Sequence, residues 1–320
     1  MNLELLERKI TIRYPSINGI IISRNGNVSL ERYYRGHKPT AVWHTASVAK
    51  SFTSALIGIA INSGHITSVD QKILDFFPEY KTASGDFVKR SLTIRHLLTM
   101  TAPTTLKSSQ AGNEALDKLR RQPNWAPFIL DQLGKGGIPG KFYYSSSNAH
   151  LLSAIISKAT GLNAREYANK YLFGPIGITK APVRDMGEFT MDKVFGRDAP
   201  GWANDPQGIT IGGWGLSLTL KDLARFGSLY LNGGRWKNKQ IIPAEWINES
   251  VKPNANNYGY LWWTSQKDGL SAFAALGSGG NAIFCLPELN LLAAITSKIT
   301  RRAPGPWKLL WEEIIPVIEK

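Results

Sequence analysis

Apolar residues in this chain follow two regimes. Near both ends they form short, almost continuous runs cut by turn residues. Through the middle they recur at helical spacing and are closed by glycines. The N-terminal runs, 17–23 and 28–34, flank Arg24-Asn25-Gly26-Asn27, and Asn-Gly between apolar runs predicts a β-hairpin. Four C-terminal runs, 258–264, 270–276, 281–286 and 289–297, are separated by Lys267-Asp268-Gly269, Gly277-Ser278-Gly279-Gly280 and Pro287-Glu288. Links this short favour antiparallel neighbours. Helices are predicted at about 2–9, 94–99, 125–133, 148–160, 164–172 and 220–231, with Gly161, Gly174 and Gly233-Gly234 as C-caps. A last amphipathic helix, 307–318, is interrupted by Pro316. Strands at both ends with helices between predict an α/β (α+β) fold. One antiparallel sheet draws on both termini and is flanked by helices. A mainly helical region, 61–209, is inserted between sheet parts 1–60 and 210–320, with the active site at their interface.

One helical segment differs from the rest. Residues 51–63 are apolar almost all round, which marks a buried helix, and Gly64 closes it. At its mouth stands Ser47-Val48-Ala49-Lys50. Three residues apart at a helix start, the hydroxyl and the amine share one face. The first backbone N–H groups there lack intrahelical partners and make the potential near Ser47 positive. A serine nucleophile with a lysine proton acceptor is a chemically competent pair for acyl transfer. The tetrapeptide alone is a weak signal, since a capping serine followed by a solvated lysine reads the same way. The core-like helix behind it favours the catalytic reading.

Composition narrows the classes. The 320 residues, 43% of them hydrophobic and 19% charged, suffice for one large core or two smaller ones. The single cysteine, Cys285, forms no intrachain disulfide and sits in a run that reads as a buried strand. A net charge of +14 invites a nucleic-acid reading, but the basic residues are scattered. Their densest pairs, Arg120-Arg121 and Arg301-Arg302, flank loops, and no recognition motif accompanies them. No apolar run approaches the ~20 residues of a membrane span, and the N-terminus mixes acids into its apolar positions, unlike a signal peptide. These features predict a cytoplasmic protein, and acyl transfer at Ser47 would take a small-molecule ester or amide as its substrate. No nucleic acid, membrane span, metal or cofactor is expected.

Two further stretches complete the chemistry. Tyr144, at a turn just before the helix at 148–160, is the candidate phenol to sit near Ser47 and Lys50. Phenol and amine have ordinary values of about 10 and 10.4, so either drops ~3 units to serve as base near neutrality, or ~4 kcal/mol. The pair titrates as a unit, which leaves open which member is the base. Gly277-Ser278-Gly279-Gly280, between two strands, exposes a strand edge against which substrate can lie. A backbone N–H there, assigned to Gly280, would join that of Ser47 in binding an oxyanion, each worth about 3–4 kcal/mol.

With these residues in order, the chain resembles the serine β-lactamase-related family: class C β-lactamases, low-molecular-weight penicillin-binding proteins and the esterases built on their fold. Ser47-Val48-Ala49-Lys50 matches Ser-x-x-Lys, Tyr144-Ser145-Ser146 matches Tyr-x-Asn, and Gly277-Ser278-Gly279 stands at Lys-Thr-Gly. Supporting stretches, 92–101, 151–161 and Gly212-Gly213-Trp214-Gly215-Leu216, follow in the same order, so the similarity covers about 15–300. It implies a covalent acyl-enzyme on Ser47, with Lys50 and Tyr144 moving protons. Ser47, Ser278, Gly279, Gly280, Ser146 and Trp214 would surround the substrate.

Two departures shape the expected substrate. At the Lys of Lys-Thr-Gly, which in penicillin-recognising members helps hold a carboxylate, stands Gly277. A missing charged hydrogen bond costs about 1.5–3 kcal/mol, one to two decades in affinity. At the Asn of Tyr-x-Asn stands Ser146, which lacks an amide's paired donor and acceptor; Asn148, two residues on, is a partial substitute. Both changes point away from β-lactams and D-peptides and toward neutral esters or amides, and the preferred reading is a carboxylesterase on small or short-chain esters. The alternatives are a β-lactamase, D-peptidase or amide hydrolase of the same family, or a non-catalytic binding protein on this scaffold. A Ser-His-Asp hydrolase is disfavoured: no Gly-x-Ser-x-Gly elbow accompanies His37, His44, His65, His96 or His150. Of these, His150 lies near enough to Tyr144 to line a pocket.

Overall fold

The computed structural model describes residues 3–108, 114–184, 200–300 and 303–318, so Arg301-Arg302 lie outside the described residues. Twelve strands are defined within them: β1 (Ile17–Arg24), β2 (Asn27–Tyr33), β3 (Val42–His44), β4 (Val183–Arg184), β5 (Gly201–Ala203), β6 (Leu216–Thr219), β7 (Arg235–Trp236), β8 (Lys239–Gln240), β9 (Trp263–Lys267), β10 (Leu270–Gly277), β11 (Asn281–Leu286) and β12 (Leu291–Ser297). Six of them form one sheet in the order β2-β1-β12-β11-β10-β9. All its neighbours are antiparallel, so the two chain ends meet where β1 pairs with β12, Ile21 opposite Ala294.

Both faces of this sheet are covered, which is why its central strands are apolar at every position rather than at alternate ones. Ile20, Ile22, Phe284, Ala293 and Ile295 turn to one face, under the helix Leu3–Arg13 and the C-terminal helix. Ile21, Ile283, Cys285, Leu292 and Ala294 turn to the other, against the helices Ala49–Asn62 and Leu220–Leu231. That second core continues without a break into the helices Ile94–Leu98, Trp125–Gln132 and Ser146–Thr160. These helices thus share one continuous core with that face of the sheet.

Three elements depart from the sequence pattern. The strand expected at 258–264 starts only at Trp263. Leu261 adopts φ +61°, and Tyr258, Tyr260 and Trp262 plug the core, Tyr258 meeting Trp263 only in an isolated bridge. The C-terminal helix is not broken by Pro316: residues 306–318 stay helical, with a π-turn over Leu309–Ile314 that widens the hydrogen-bond register just before the proline. A second, four-stranded sheet, β3-β6-β5-β4, was not anticipated, because its strands are two to four residues long. It matters for function, since β3 delivers the chain to Ser47. No described helix is long and apolar enough to cross a membrane.

Candidate active site

β3 ends at His44, and the chain then turns sharply into the buried helix. Ala46 takes φ +51°, a left-handed conformation that a residue with a Cβ adopts at a cost. A 3-10 turn, Ala46–Val48, follows and runs into Ala49–Asn62. Ser47 is half-buried in that turn, whereas Lys50 is only 1% exposed. Gly277, the last residue of β10, comes so close that a Cβ there would lie 2.5 Å from the Thr45 carbonyl oxygen and 3.1 Å from the Ala46 Cβ. Glycine at this position is what lets the sheet edge touch the nucleophile turn.

Lys50 is the hub. Its Nζ donates to Ser47 Oγ at 3.1 Å, to Ser146 Oγ at 3.1 Å and to the Gly213 carbonyl at 2.8 Å. Tyr144 meets it differently from a hydrogen-bonded pair: Nζ lies 4.9 Å from the centroid of the Tyr144 ring, a cation over an aromatic face. Among the described residues, no hydrogen bond joins the Tyr144 phenol to Ser47 or Lys50. Behind Tyr144 stands Tyr258, edge-on with ring centroids 6.2 Å apart. Burial, and then the neighbouring Tyr144, push the Tyr258 phenol well above its ordinary value, so it stays protonated.

Ser146 is held by a residue that motif spacing did not reveal. Ser108 Oγ accepts the Ser146 N–H at 3.0 Å and lies 3.4 Å from Ser146 Oγ, while the Ser108 N–H donates to the Tyr144 carbonyl at 2.8 Å. Ser145 starts the helix, its Oγ accepting the Asn148 N–H and donating to the Leu106 carbonyl. Asn148 does not substitute for an amide in the pocket. It is fully buried, and its Nδ2 donates to the Ala102 carbonyl.

These groups open onto a cavity of about 560 Å³. Polar lining comes from Ser47, Ser108, Tyr144, Ser146, Ser147 and Ser278; apolar walls come from Leu116, Leu119, Trp214, Trp263, Leu276 and Trp307. No charged side chain is among the described residues that line it. Trp214 and Ser278 stand where the sequence placed them. Gly279 and Gly280 do not reach the cavity: a Cβ on Gly279 would meet the Lys298 carbonyl at 2.4 Å, and Gly280 faces Ser297. The residues at the strand edge are instead Leu276, Gly277 and Ser278, because β10 ends at Gly277 and the last two glycines belong to the turn into β11. At this strand edge Ser278, and not Gly280, lines the cavity with Ser47.

His150 also lies elsewhere. Its ring is buried away from the cavity, with Nε2 3.1 Å from Asp205 Oδ2 and the Trp125 indole against it. His96 caps its own helix through Nδ1. His44 was passed over in the sequence, yet it sits directly behind the nucleophile turn. Its Nδ1 faces the Ala46 N–H and its Nε2 the Gly215 N–H, each at 3.1 Å. Burial, reinforced by the charge of Arg184, lowers this imidazole to about 3 and keeps it neutral. No described group of histidine, cysteine or carboxylate side chains has the arrangement of a metal site.

Comparison with known proteins adds relatives to this geometry. A family model described as Beta-lactamase matches residues 15–308. The 6-aminohexanoate-dimer hydrolase of Paenarthrobacter ureafaciens is 26% identical over 242 residues, 73% of this chain and 56% of that protein. The chain thus spans little more than half the length of this curated relative. Among solved structures, the octameric penicillin-binding protein homologue from Pyrococcus abyssi superposes with a TM-score of 0.71 at 20% identity, covering 100% of this chain and 78% of its own. A D-stereospecific amidohydrolase from Streptomyces sp. gives 0.70 at 15% identity, covering 98% of both. At these identities the structural likeness is one of fold.

Proposed function

The chain belongs to the beta-lactamase family, a family of serine hydrolases, and from that premise we propose that it is a carboxylesterase acting on small neutral esters through an acyl-enzyme on Ser47. The observation that carries this reading is the contact of Lys50 Nζ with Ser47 Oγ, 3.1 Å, at a cavity whose described lining holds no charge. Among the described lining residues there is no cation to hold a substrate carboxylate, which disfavours β-lactams and free D-peptides. Its tryptophan and leucine walls favour an apolar acyl group. The lining draws on both parts of the proposed organisation, Ser47, Trp214 and Ser278 from 1–60 and 210–320, Ser108, Tyr144 and Ser146 from 61–209.

In this reading Lys50 reacts as the neutral amine. Two N–H bonds go to Ser146 and Gly213, and its lone pair faces the Ser47 hydroxyl. Ser47 Oγ adds to the ester carbonyl carbon as its proton passes to Lys50. The carbonyl electron pair moves onto oxygen, which accepts the N–H groups of Ser47 and Ser278. Collapse breaks the ester C–O bond, and the alcohol departs with a proton delivered through the Tyr144 phenol and replaced from Lys50. Water then adds to the acyl carbon through the same groups in reverse, releasing the acid and free Ser47.

The test compares wild type and Ser47→Ala on p-nitrophenyl acetate, p-nitrophenyl butyrate and a chromogenic cephalosporin. Ester turnover that vanishes with Ser47, with little cephalosporin signal, is the expected result. Cephalosporin hydrolysis exceeding ester hydrolysis contradicts the uncharged-cavity reasoning. One observation favours amide cleavage as the second reading: the Streptomyces neighbour is named an amidohydrolase. An anilide analogue of the best ester, run beside it, ranks the two.

A further inference from the structure

Ser47 is aimed by a turn that its own backbone disfavours. Ala46, immediately before it, holds φ +51° without being glycine, and such a residue persists only where the surroundings over-determine it. Two sets of contacts do so. Thr45 is pinned to β6, its N–H and its Oγ1 both donating to the Leu216 carbonyl at 2.8 Å. The Ala46 N–H points at His44 Nδ1, 3.1 Å away, in a ring that is 4% exposed. A buried N–H left without an acceptor is costly, so this contact decides whether the left-handed turn is tenable.

The other edge of the same ring reaches the segment that holds Lys50. His44 Nε2 faces the Gly215 N–H at 3.1 Å, and two residues earlier the Gly213 carbonyl accepts from Lys50 Nζ at 2.8 Å. One imidazole thus touches both the turn carrying the nucleophile and the loop anchoring its proton acceptor. A neutral imidazole has one acceptor nitrogen and one N–H, so it accepts from one of these two backbone groups at a time. The strained residue lies on the Nδ1 side.

We propose that His44 is a positioning residue of the reaction: with its acceptor at Nδ1 it takes the Ala46 N–H, holds the left-handed turn, and sets Ser47 Oγ within reach of Lys50. His44 touches neither substrate nor the reacting atoms and acts through Ala46. The inference rests on the Ser47 acyl-enzyme reading.

Asparagine and glutamine separate the two edges of the ring. In His44→Asn the side-chain carbonyl stands near the Nδ1 position, and in His44→Gln it stands near Nε2. His44→Leu fills the space with no acceptor. The three variants and wild type are compared by steady-state hydrolysis of p-nitrophenyl butyrate, with folding checked by circular dichroism and melting. Ser47→Ala is included so that failure of the parent reading, activity independent of Ser47, is seen separately. The expected result is a roughly hundredfold fall in kcat for His44→Leu with KM within threefold, and His44→Asn within about fivefold of wild type. His44→Gln should fall between them. Should the leucine variant not fold, the asparagine–glutamine pair decides. Higher kcat in His44→Asn supports the proposal, and equal values in the two contradict it. Leucine at full kcat, or asparagine and leucine equally impaired, would overturn it as well.

Discussion

Replacing Lys50 with methionine should separate catalysis from stability. The Lys50 amine is buried, and its described hydrogen-bond partners include no carboxylate. Its hydrogen bonds with Ser47, Ser146 and Gly213 are worth about 0.5–1.5 kcal/mol each. Against them stands the cost of taking the polar amine out of water, about 1–3 kcal/mol. Methionine of similar length removes both terms. It leaves the Gly213 carbonyl short of a donor, at about 1–3 kcal/mol, while the Ser146 hydroxyl still has Ser108 beside it. The terms nearly cancel, so stability changes by no more than about 2 kcal/mol, a shift in Tm of a few degrees. Catalysis has no such compensation: loss of the proton acceptor costs about 10²–10⁴ in rate. The assay pairs thermal melting with p-nitrophenyl butyrate turnover. Retention of more than a tenth of wild-type kcat refutes the role assigned to Lys50. A fall in Tm beyond 10 degrees, about 7 kcal/mol for a chain of 320 residues, refutes the energetic reasoning. Lys50→Arg should be equally inactive, because guanidinium does not give up its proton.

Other predictions concern the scaffold. Gly58 faces Trp246, and a Cβ there would lie 2.4 Å from the indole ring, so Gly58→Ala should lower stability by about 1–3 kcal/mol despite its gain in helix propensity; an unchanged urea midpoint contradicts this. Burial by itself raises the Glu313 carboxyl, but hydrogen bonds from Lys9 and Arg13 outweigh it and hold it below its ordinary 4.5. Its contribution is therefore present above pH 4.5 and lost as pH falls through the lowered folded value. With both partners partly solvated, Glu313→Gln should cost about 1–2 kcal/mol at pH 7 and flatten the acid limb of a Tm–pH curve; a parallel limb argues against the assignment. Burial pushes the Cys285 thiol up, so it should resist iodoacetamide in the native protein, and treated enzyme should keep full activity.

What the sequence made legible follows from where the physics is local. β1, β2 and β10–β12 stood out because a sheet covered on both faces needs uninterrupted apolar runs, and the Asn25-Gly26 turn marked the first hairpin. Ser47 and Lys50 were visible because a polar pair three residues apart breaks an apolar helix. The glycine run was misread for a reason that spacing cannot remedy: Gly277 and Gly279 look alike in sequence, and only the end of β10 tells which one faces the nucleophile turn. Ser108 lies 38 residues from its partner Ser146, in a loop without periodic pattern, so nothing local announces it. His44 was hidden by the shortness of β3, whose three residues leave too little alternation to show which side turns inward. His150 was misplaced because proximity in sequence to Tyr144 does not fix which helix face a side chain takes, and the face it takes belongs to Asp205 and Trp125.

The central claim, a covalent intermediate on Ser47, is tested most directly by acid-quenching the enzyme during turnover of p-nitrophenyl butyrate and measuring its intact mass, followed by peptide mapping. The prediction is a single butyryl increment on the peptide bearing Ser47, absent from Ser47→Ala and strongly reduced in Lys50→Met. Turnover with no adduct, or an adduct on any other residue, contradicts the mechanism.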